Sequence, residues 1–308
     1  MILVNFGGPR HLEEIEPFLT ALLQDKDVIR TRMPAFIHNW FFGRVARKRA
    51  RNIRHDYELI GGKSPIYDDT EKLAQLLSEK LSQPVLTFHR YLPSTHRESF
   101  AKINAHPGEL RVLPLFPQFS YATTGSIARL FADQPFSHRL RWIQSYPAHP
   151  AFVRAFVQRI QSHPADILLF SAHGVPRSFV DTGDLYESEV IRSFNAISEA
   201  FPQALCRLSY QSKFGRGEWL CPYTDEVCED ILSWNQSRKR IVVVPLSFTS
   251  DHIETLFEIE HLYLPILRKK GMIASRCPAL NLESYWVDAL AEIANSHTLN
   301  ATSMLVRK

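Results

Sequence analysis

Short apolar runs alternate with amphipathic segments along the chain, a pattern typical of an α/β protein. The opening run, residues 2–6, ends at Gly7-Gly8-Pro9, and a run over residues 167–174 has the same design. The runs at 112–115 and 243–246 also match each other, since a polar turn follows each of them. We therefore predict two lobes that repeat one arrangement of strands.

Helical periodicity fills the segments between these runs, at about residues 11–24, 69–81 and 184–201. Strands that alternate with helices favour a parallel sheet covered by helices. The predicted lobes span residues 1–145 and 146–308, one sheet in each. The opening and closing runs lie about 34 residues further apart in the first lobe, which predicts an insertion near residues 30–65.

The predicted insertion joins an aromatic segment to a basic one. Its apolar residues are Phe36, Ile37, Trp40, Phe41 and Phe42. Its basic residues are Arg44, Arg47, Lys48, Arg49, Arg51 and Arg54. This combination suits a flat apolar ligand with carboxylates, a membrane surface, or a helix face in water.

Composition excludes several classes of protein. The 308 residues are 45% hydrophobic, and they contain neither a signal peptide nor an apolar run of about 18 residues. We therefore expect a cytoplasmic protein. A net charge of +4 and the absence of a binding motif argue against nucleic acid, and no nucleotide loop is present. The four cysteines lack the close pairs of a zinc site, so we expect independent thiols.

Candidate catalytic groups follow the apolar runs, where ligands bind in open α/β sheets. His173 ends one run and suits a base near neutral pH, although a hydrogen-bonded turn histidine fits the same position. Asp251, Glu254 and Glu258 form one acidic stripe of a predicted helix, with Ile253, Leu256 and Phe257 as its apolar face. The stripe suits a divalent metal or a proton relay, and a capping box formed by Asp251 and Glu254 is the alternative. We expect equivalent positions in the two lobes to bring His173 opposite Glu254.

The motifs along the chain resemble those of the ferrochelatases, which complete haem synthesis. The resemblance covers nearly the whole chain, and its longest motif runs from Phe248 to Leu256. The other motifs are Val4 to Pro9, Gly61 to Ile66, Pro117 to Ser120, Thr123 to Ser126, Phe170 to His173, and Gln211 to Lys213 with Trp219-Leu220.

The resemblance implies two Rossmann-like lobes with a porphyrin cleft between them and the insertion at the porphyrin lip. It implies that His173 accepts a pyrrole proton and binds the metal, and that Glu254 is its partner across the macrocycle. The implied path for protons or metal consists of Asp251, His252 and Glu258. The implied porphyrin contacts are Arg49, Tyr57, Ser64, Arg90 and Tyr91, with Arg49 on a propionate.

The implied reaction inserts Fe²⁺ into protoporphyrin IX and forms protohaem. No resident cofactor is expected, although some members of the family hold a [2Fe–2S] cluster and Cys206, Cys221 and Cys228 remain candidates for one. The alternatives are a coproporphyrin or cobalt chelatase and a non-catalytic tetrapyrrole carrier. Peripheral membrane contact is a further expectation, and the sequence leaves the oligomeric state open.

Overall fold

A computed structural model describes residues 1–215 and 217–305. The chain forms two compact units, the first from Met1–Ser145 with the segment that starts at Ala294, and the second from Tyr146–Ile293. The sequence predicted a second lobe that ends at residue 308. Residues 306–308 lie outside the described part of the chain. None of the helices in the described part of the chain combines the length and the apolarity needed to cross a bilayer.

The first unit is an α/β layer built around four strands. Its strands are β1 (Ile2–Asn5), β2 (Leu86–His89), β3 (Leu110–Pro114) and β4 (Leu140–Trp142). Its α-helices are α1 (Ile15–Leu23), α2 (Ala35–Leu59), α3 (Ile66–Leu81), α4 (Pro93–Ala105) and α5 (Ser126–Ala132). A π-helix, π1 (Tyr121–Gly125), and 3₁₀ turns at Leu12–Glu14, Ser137–Arg139 and Ala301–Met304 complete it.

All pairings between these strands are parallel, in the order β2-β1-β3-β4. A parallel sheet is covered on both faces, so its inner strands are mostly apolar, and Ile2, Leu3 and Val4 of β1 are fully buried. The C-terminal segment returns to this unit, where Leu299 pairs with Trp142 through two hydrogen bonds of 2.8 Å.

Helix α2 occupies most of the predicted insertion. His38, Ala46, Ala50 and Tyr57 are its buried residues, while Phe36, Trp40 and Phe41 near its start are exposed. Phe36 is 75% exposed and Trp40 is 61% exposed. The helix therefore presents large apolar side chains that the first unit does not cover.

The second unit repeats the design of the first. Its strands are β5 (Ile167–His173), β6 (Leu205–Gln211), β7 (Arg240–Pro245) and β8 (Ile273–Arg276). Its first helices are α6 (Pro150–Gln161), α7 (Arg177–Asp181), α8 (Tyr186–Ser198), α9 (Thr224–Glu229) and α10 (Ile231–Trp234). A second π-helix, π2 (Glu254–Tyr263), precedes α11 (Leu264–Lys269) and α12 (Ser284–Ile293).

The strand order β6-β5-β7-β8 matches that of the first sheet, and every pairing is again parallel. In both units the third strand leads into a π-helix. The predicted α/β architecture of two parallel sheets flanked by helices is therefore confirmed.

The helix after β7 differs from the prediction in its hydrogen bonding. The amide of Leu264 donates to the carbonyl of Ile259, five residues back, as in a π-helix. Its buried residues are Thr255, Ile259 and Tyr263, four residues apart, so the expected apolar face of Ile253, Leu256 and Phe257 is wrong. π-Helical turns are frequent at functional sites.

Candidate active site

The last residue of β5 is held by its backbone. The amide of His173 donates to Ser247 Oγ at 2.8 Å, and its carbonyl accepts from the Tyr186 hydroxyl at 2.9 Å. The strand therefore delivers the imidazole at its carboxyl end in one fixed direction, as expected for ligand-binding residues of an open sheet.

A backbone contact decides which nitrogen of His173 carries the proton. Nδ1 lies 2.6 Å from the carbonyl oxygen of Gly174. A carbonyl can only accept, so Nδ1 donates, and in the neutral ring the lone pair is on Nε2. This tautomer suits a base or a metal ligand.

Close packing requires glycine at position 174. The amide of Gly174 donates to the carbonyl of Gln211 at 2.7 Å, and a Cβ here would lie 2.9 Å from that same oxygen. It would also meet the Trp219 ring at 3.3 Å. A larger residue would push the strand end away from β6 and displace the neighbouring imidazole.

A second imidazole faces a carboxylate. His252 Nδ1 lies 3.0 Å from the carbonyl of Ser250, so it donates there, and the Nε2 lone pair of the neutral ring faces Glu254 Oε2 at 3.0 Å. These two atoms form no hydrogen bond. In the described part of the chain no donor satisfies Glu254 Oε2, although the atom is buried. A proton or a metal ion between the two lone pairs would satisfy both.

Phe248 lies near both imidazoles. Its ring lies 4.6 Å from that of His252 and 6.2 Å from that of His173. His173 and Glu254 both belong to the second unit. His173 ends β5, and Glu254 lies in the segment after the neighbouring strand β7. The expectation that they occupy equivalent positions in two lobes is therefore wrong.

Glu258 lies one turn beyond Glu254 and is held by neutral donors. Its Oε2 accepts from Ser212 Oγ at 2.5 Å and from Gln211 Nε2 at 3.1 Å, and the Tyr263 hydroxyl lies at 3.4 Å. Burial, and then the charge of Glu254, raise the pKa of Glu258 to about 7. A carboxyl group with such a pKa can accept and release protons near neutral pH.

Asp251 has different partners from the other two carboxylates. Its oxygens accept from Arg276 Nη1 at 2.7 Å, from the Thr255 hydroxyl at 2.7 Å and from Asn281 Nδ2 at 2.8 Å. The capping-box alternative is wrong, because Ile253 is the capping residue of π2 and no side chain caps it. These contacts indicate that Asp251 anchors the start of π2 to the end of β8 and to the segment that follows it.

The predicted porphyrin contacts belong to the first unit. Arg49 is half-buried on α2, and Tyr57 is buried near the end of that helix. Ser64 is buried and its amide donates to the Pro9 carbonyl at 2.8 Å. Gly8 permits this approach, since a Cβ there would lie 2.7 Å from Ser64 Oγ.

Arg90 and Tyr91 make structural contacts with Asp25. Asp25 Oδ2 accepts from Arg90 Nη2 at 2.7 Å and from the Tyr91 hydroxyl at 2.9 Å. Arg90 Nε also donates to Ser126 Oγ at 2.7 Å. Tyr91 is fully buried, so its contacts are those of a packing residue.

The cysteines do not gather into a metal site. Cys228 and Cys277 are buried, Cys206 is half-buried and Cys221 is exposed, all as free thiols. Across residues 1–215 and 217–305, no three Cys, His, Asp or Glu side chains are grouped to hold a metal ion. The four thiols therefore do not fit the ligand set of a [2Fe–2S] cluster in this arrangement.

Comparison with known proteins identifies the family. The ferrochelatase family model matches residues 1–298. The chain belongs to the ferrochelatase family. Curated ferrochelatases of Chlamydia caviae and Chlamydia abortus are each 45% identical to it over 305 residues, which is 96% of this chain and 95% of theirs. The ferrochelatase of Chlamydia muridarum is 43% identical over 303 residues, 96% of this chain and 94% of its own.

Solved structures with the same fold are more distant. SirB from Bacillus subtilis with Fe3+ is 15% identical, with a TM-score of 0.53 over 78% of this chain and 94% of that one. DR2241 from Deinococcus radiodurans is 14% identical, with a TM-score of 0.53 over 76% of this chain and 52% of that one. These structures show the chelatase-like fold. The predicted ferrochelatase, a metal-inserting lyase of haem biosynthesis, is confirmed by the family match and the curated relatives.

Two residues near His173 make contacts that the sequence motifs did not predict. Gln211 and Phe248 belong to sequence motifs that predict no role for their side chains. The position of Gln211 at the end of a strand was the feature that could have indicated its role, because Gln211 ends β6 and pairs with His173 in the register of the sheet. The strand order needed to see that neighbourhood comes from the structure.

Proposed function

We propose that the chain inserts Fe²⁺ into protoporphyrin IX to form protohaem, with His173 and Glu254 at the reacting centre. The observation that carries this proposal is the unfilled contact between His252 Nε2 and Glu254 Oε2, beside an imidazole whose lone pair is on Nε2. The Nε2 lone pair of His252 and the buried Oε2 atom of Glu254 are two ligand atoms of the kinds that suit a divalent cation such as Fe²⁺.

The reaction releases two protons from the pyrrole nitrogens as the metal enters. Neutral His173 accepts one of these protons through Nε2. After it releases that proton, the same nitrogen can bind the metal ion. The pair of His252 and Glu254 takes up the other. Glu258, with a pKa near 7, passes protons onward to water.

Porphyrin binding is assigned to residues of α2 and the loop that follows it. Arg49 supplies a guanidinium that can bind a propionate through paired hydrogen bonds, while Tyr57 and Ser64 border the ring. Arg90 and Tyr91 are left out of these contacts, because Asp25 occupies the guanidinium and the hydroxyl. Asp251 is likewise assigned to structure and not to the proton path.

We also propose that the enzyme is cytoplasmic and that the start of α2 binds an anionic membrane surface. Phe36 and Trp40 are exposed, and the basic residues Arg44, Lys48 and Arg51 follow on the same helix in solvent. Aromatic rings enter the lipid interface while cations meet anionic headgroups. Trp40→Ala should weaken sedimentation with anionic vesicles. Leu232→Ala, at an exposed leucine of the second unit, is the control.

The choice of substrate is tested with one assay. Initial rates of Fe²⁺ insertion are measured with protoporphyrin IX and with coproporphyrin, and Co²⁺ is then tested as the metal. The proposal predicts the highest kcat/KM for Fe²⁺ with protoporphyrin IX. A preference for coproporphyrin or Co²⁺ would reassign the substrate, and porphyrin binding without turnover would indicate a carrier.

A further inference from the structure

A chain of buried hydroxyl groups runs through the second unit below the active site. Ser209 Oγ and Ser171 Oγ each lie 2.9 Å from Thr224 Oγ1. Ser171 Oγ in turn lies 2.7 Å from Gln211 Oε1. Ser171, Ser209 and Thr224 have no exposed surface. Such a network is buried only when its members satisfy one another.

The direction of these hydrogen bonds is fixed by the supply of protons. Each hydroxyl has one hydrogen, and Ser209 Oγ also lies 3.3 Å from the Phe170 carbonyl. The shorter contact of 2.9 Å to Thr224 favours a chain that runs from Ser209 to Thr224 to Ser171 and uses each hydrogen once. Ser171 then donates to Gln211 Oε1, because a carboxamide oxygen can only accept. The chain thus orients the amide of Gln211 with its NH₂ group away from the sheet.

The NH₂ group of Gln211 contacts π2 at two points. Nε2 donates to the backbone carbonyl of Glu254 at 2.8 Å and to Glu258 Oε2 at 3.1 Å. Both of its hydrogens are used, and the residue is 2% exposed. Gln211 therefore links the rigid ends of β5 and β6 to the first turn of the helix that carries Glu254.

We propose that Gln211 is a positioning residue for metal insertion, held in orientation by the Ser209–Thr224–Ser171 hydroxyl chain. It acts through the backbone of Glu254, whose carboxylate must face the incoming metal. This inference rests on the proposed function for its effect on turnover. Groups that orient metal ligands typically change metal affinity or activity by about 10- to 100-fold when they are removed.

The test uses variants that change hydrogen bonding but little else. Gln211→Leu keeps the approximate shape and removes both donors. Thr224→Val keeps the shape at the centre of the hydroxyl chain, and Thr224→Ser keeps the hydroxyl. Ser193→Ala is the matched control, because its buried hydroxyl donates to the Pro147 carbonyl at 2.7 Å, outside the chain.

We expect Gln211→Leu to lower kcat/KM for the metal by about 10- to 100-fold and to leave KM for porphyrin within about twofold. Thr224→Val should show the same split between the two substrates, and Thr224→Ser should restore the wild-type values. Wild-type kcat and metal KM in Gln211→Leu would overturn the inference. Equal changes in Ser193→Ala would also overturn it.

Amide hydrogen exchange gives a readout that does not depend on turnover. Gln211→Leu should speed exchange in residues 254–259 relative to wild type and to Ser193→Ala, because the first turn of π2 loses its attachment. Unchanged exchange would overturn the positioning role whatever the activity. A wild-type protein without turnover would overturn the proposed function and leave the exchange result to decide the role of Gln211.

Discussion

His252 Nε2 and Glu254 Oε2 lie 3.0 Å apart with no hydrogen bond between them. The Ser250 carbonyl occupies Nδ1 of the same ring, so the neutral imidazole turns its lone pair toward the carboxylate. Leaving such a buried acceptor unsatisfied costs about 1–3 kcal/mol. The protein retains an arrangement that only a proton or a cation relieves, which is the property a metal-inserting site needs.

Glu254→Gln should therefore stabilise the protein while it lowers activity. The new amide can donate to His252 Nε2 and satisfy both groups without a cation. We expect a gain of about 1 kcal/mol in the free energy of unfolding and a fall in kcat of about 10²- to 10⁴-fold. Urea denaturation and initial rates measure the two effects. A variant that is less stable than wild type and fully active would contradict this account of the pair.

Asp251→Asn should act mainly on stability. Asp251 and Arg276 form an ion pair with side-chain exposures of 9% and 11%, and Arg276 keeps a second carboxylate partner in Glu260 at 3.1 Å when Asp251 is neutralised. The loss of this charged hydrogen bond predicts a fall of about 1.5–3 kcal/mol in the free energy of unfolding. Glu292→Gln, in the exposed pair with Arg154, is the control and should change it by less than about 0.5 kcal/mol. A folded Asp251→Asn protein of wild-type stability and low kcat would return Asp251 to the proton path.

The pKa of Glu258 predicts a dependence of stability on pH. The pKa is raised from 4.5 to about 7, so the folded state binds a proton that the unfolded state has released. This contribution to stability is fully present below the unfolded pKa and is lost as pH rises through about 7. Glu258→Gln removes it.

The comparison of wild type and Glu258→Gln isolates that group. We expect the variant to gain stability relative to wild type between about pH 5 and about pH 8, by up to about 3 kcal/mol. Urea midpoints at the two pH values give the difference. An identical pH dependence in both proteins would show that Glu258 is charged throughout this range.

Thiol reactivity should separate the four cysteines. Burial raises the pKa of Cys228 and of Cys277 to about 12, and it raises that of Cys206 as well. Since the thiolate is the nucleophile, Cys221 should react first with iodoacetamide in the native protein. Mass spectrometry of the alkylated peptides measures the order. Rapid labelling of Cys228 would contradict its burial in the hydrophobic core of the second unit.

The sequence predicted the layers of the fold because its signals are local. Apolar runs and turns at Gly7-Gly8-Pro9 and after residue 173 were sufficient to locate β1 and β5 and to indicate the repeat. The return of the chain from Ala294 to β4 depends on a contact between Leu299 and Trp142, which are far apart in sequence. No periodicity along the chain records such a pairing.

The candidate site was predicted in part for the same reason. Its motifs identified His173, His252, Glu254 and Glu258, but spacing assumed an α-helix where the structure has a π-helix. The resulting apolar face was wrong, and Asp251 was placed with the acidic stripe although Arg276 holds it. Arg276 lies on another strand of the sheet, so helical spacing cannot predict its contact with Asp251.

The central claim is that neutral His173 accepts a pyrrole proton during metal insertion. Single-turnover insertion of Zn²⁺ or Fe²⁺ into protoporphyrin IX by His173→Ala, measured beside porphyrin binding, tests it most directly. We expect a fall in the insertion rate of about 10²- to 10⁴-fold with porphyrin affinity unchanged, and partial recovery when imidazole is added. Insertion at the wild-type rate in His173→Ala would contradict it.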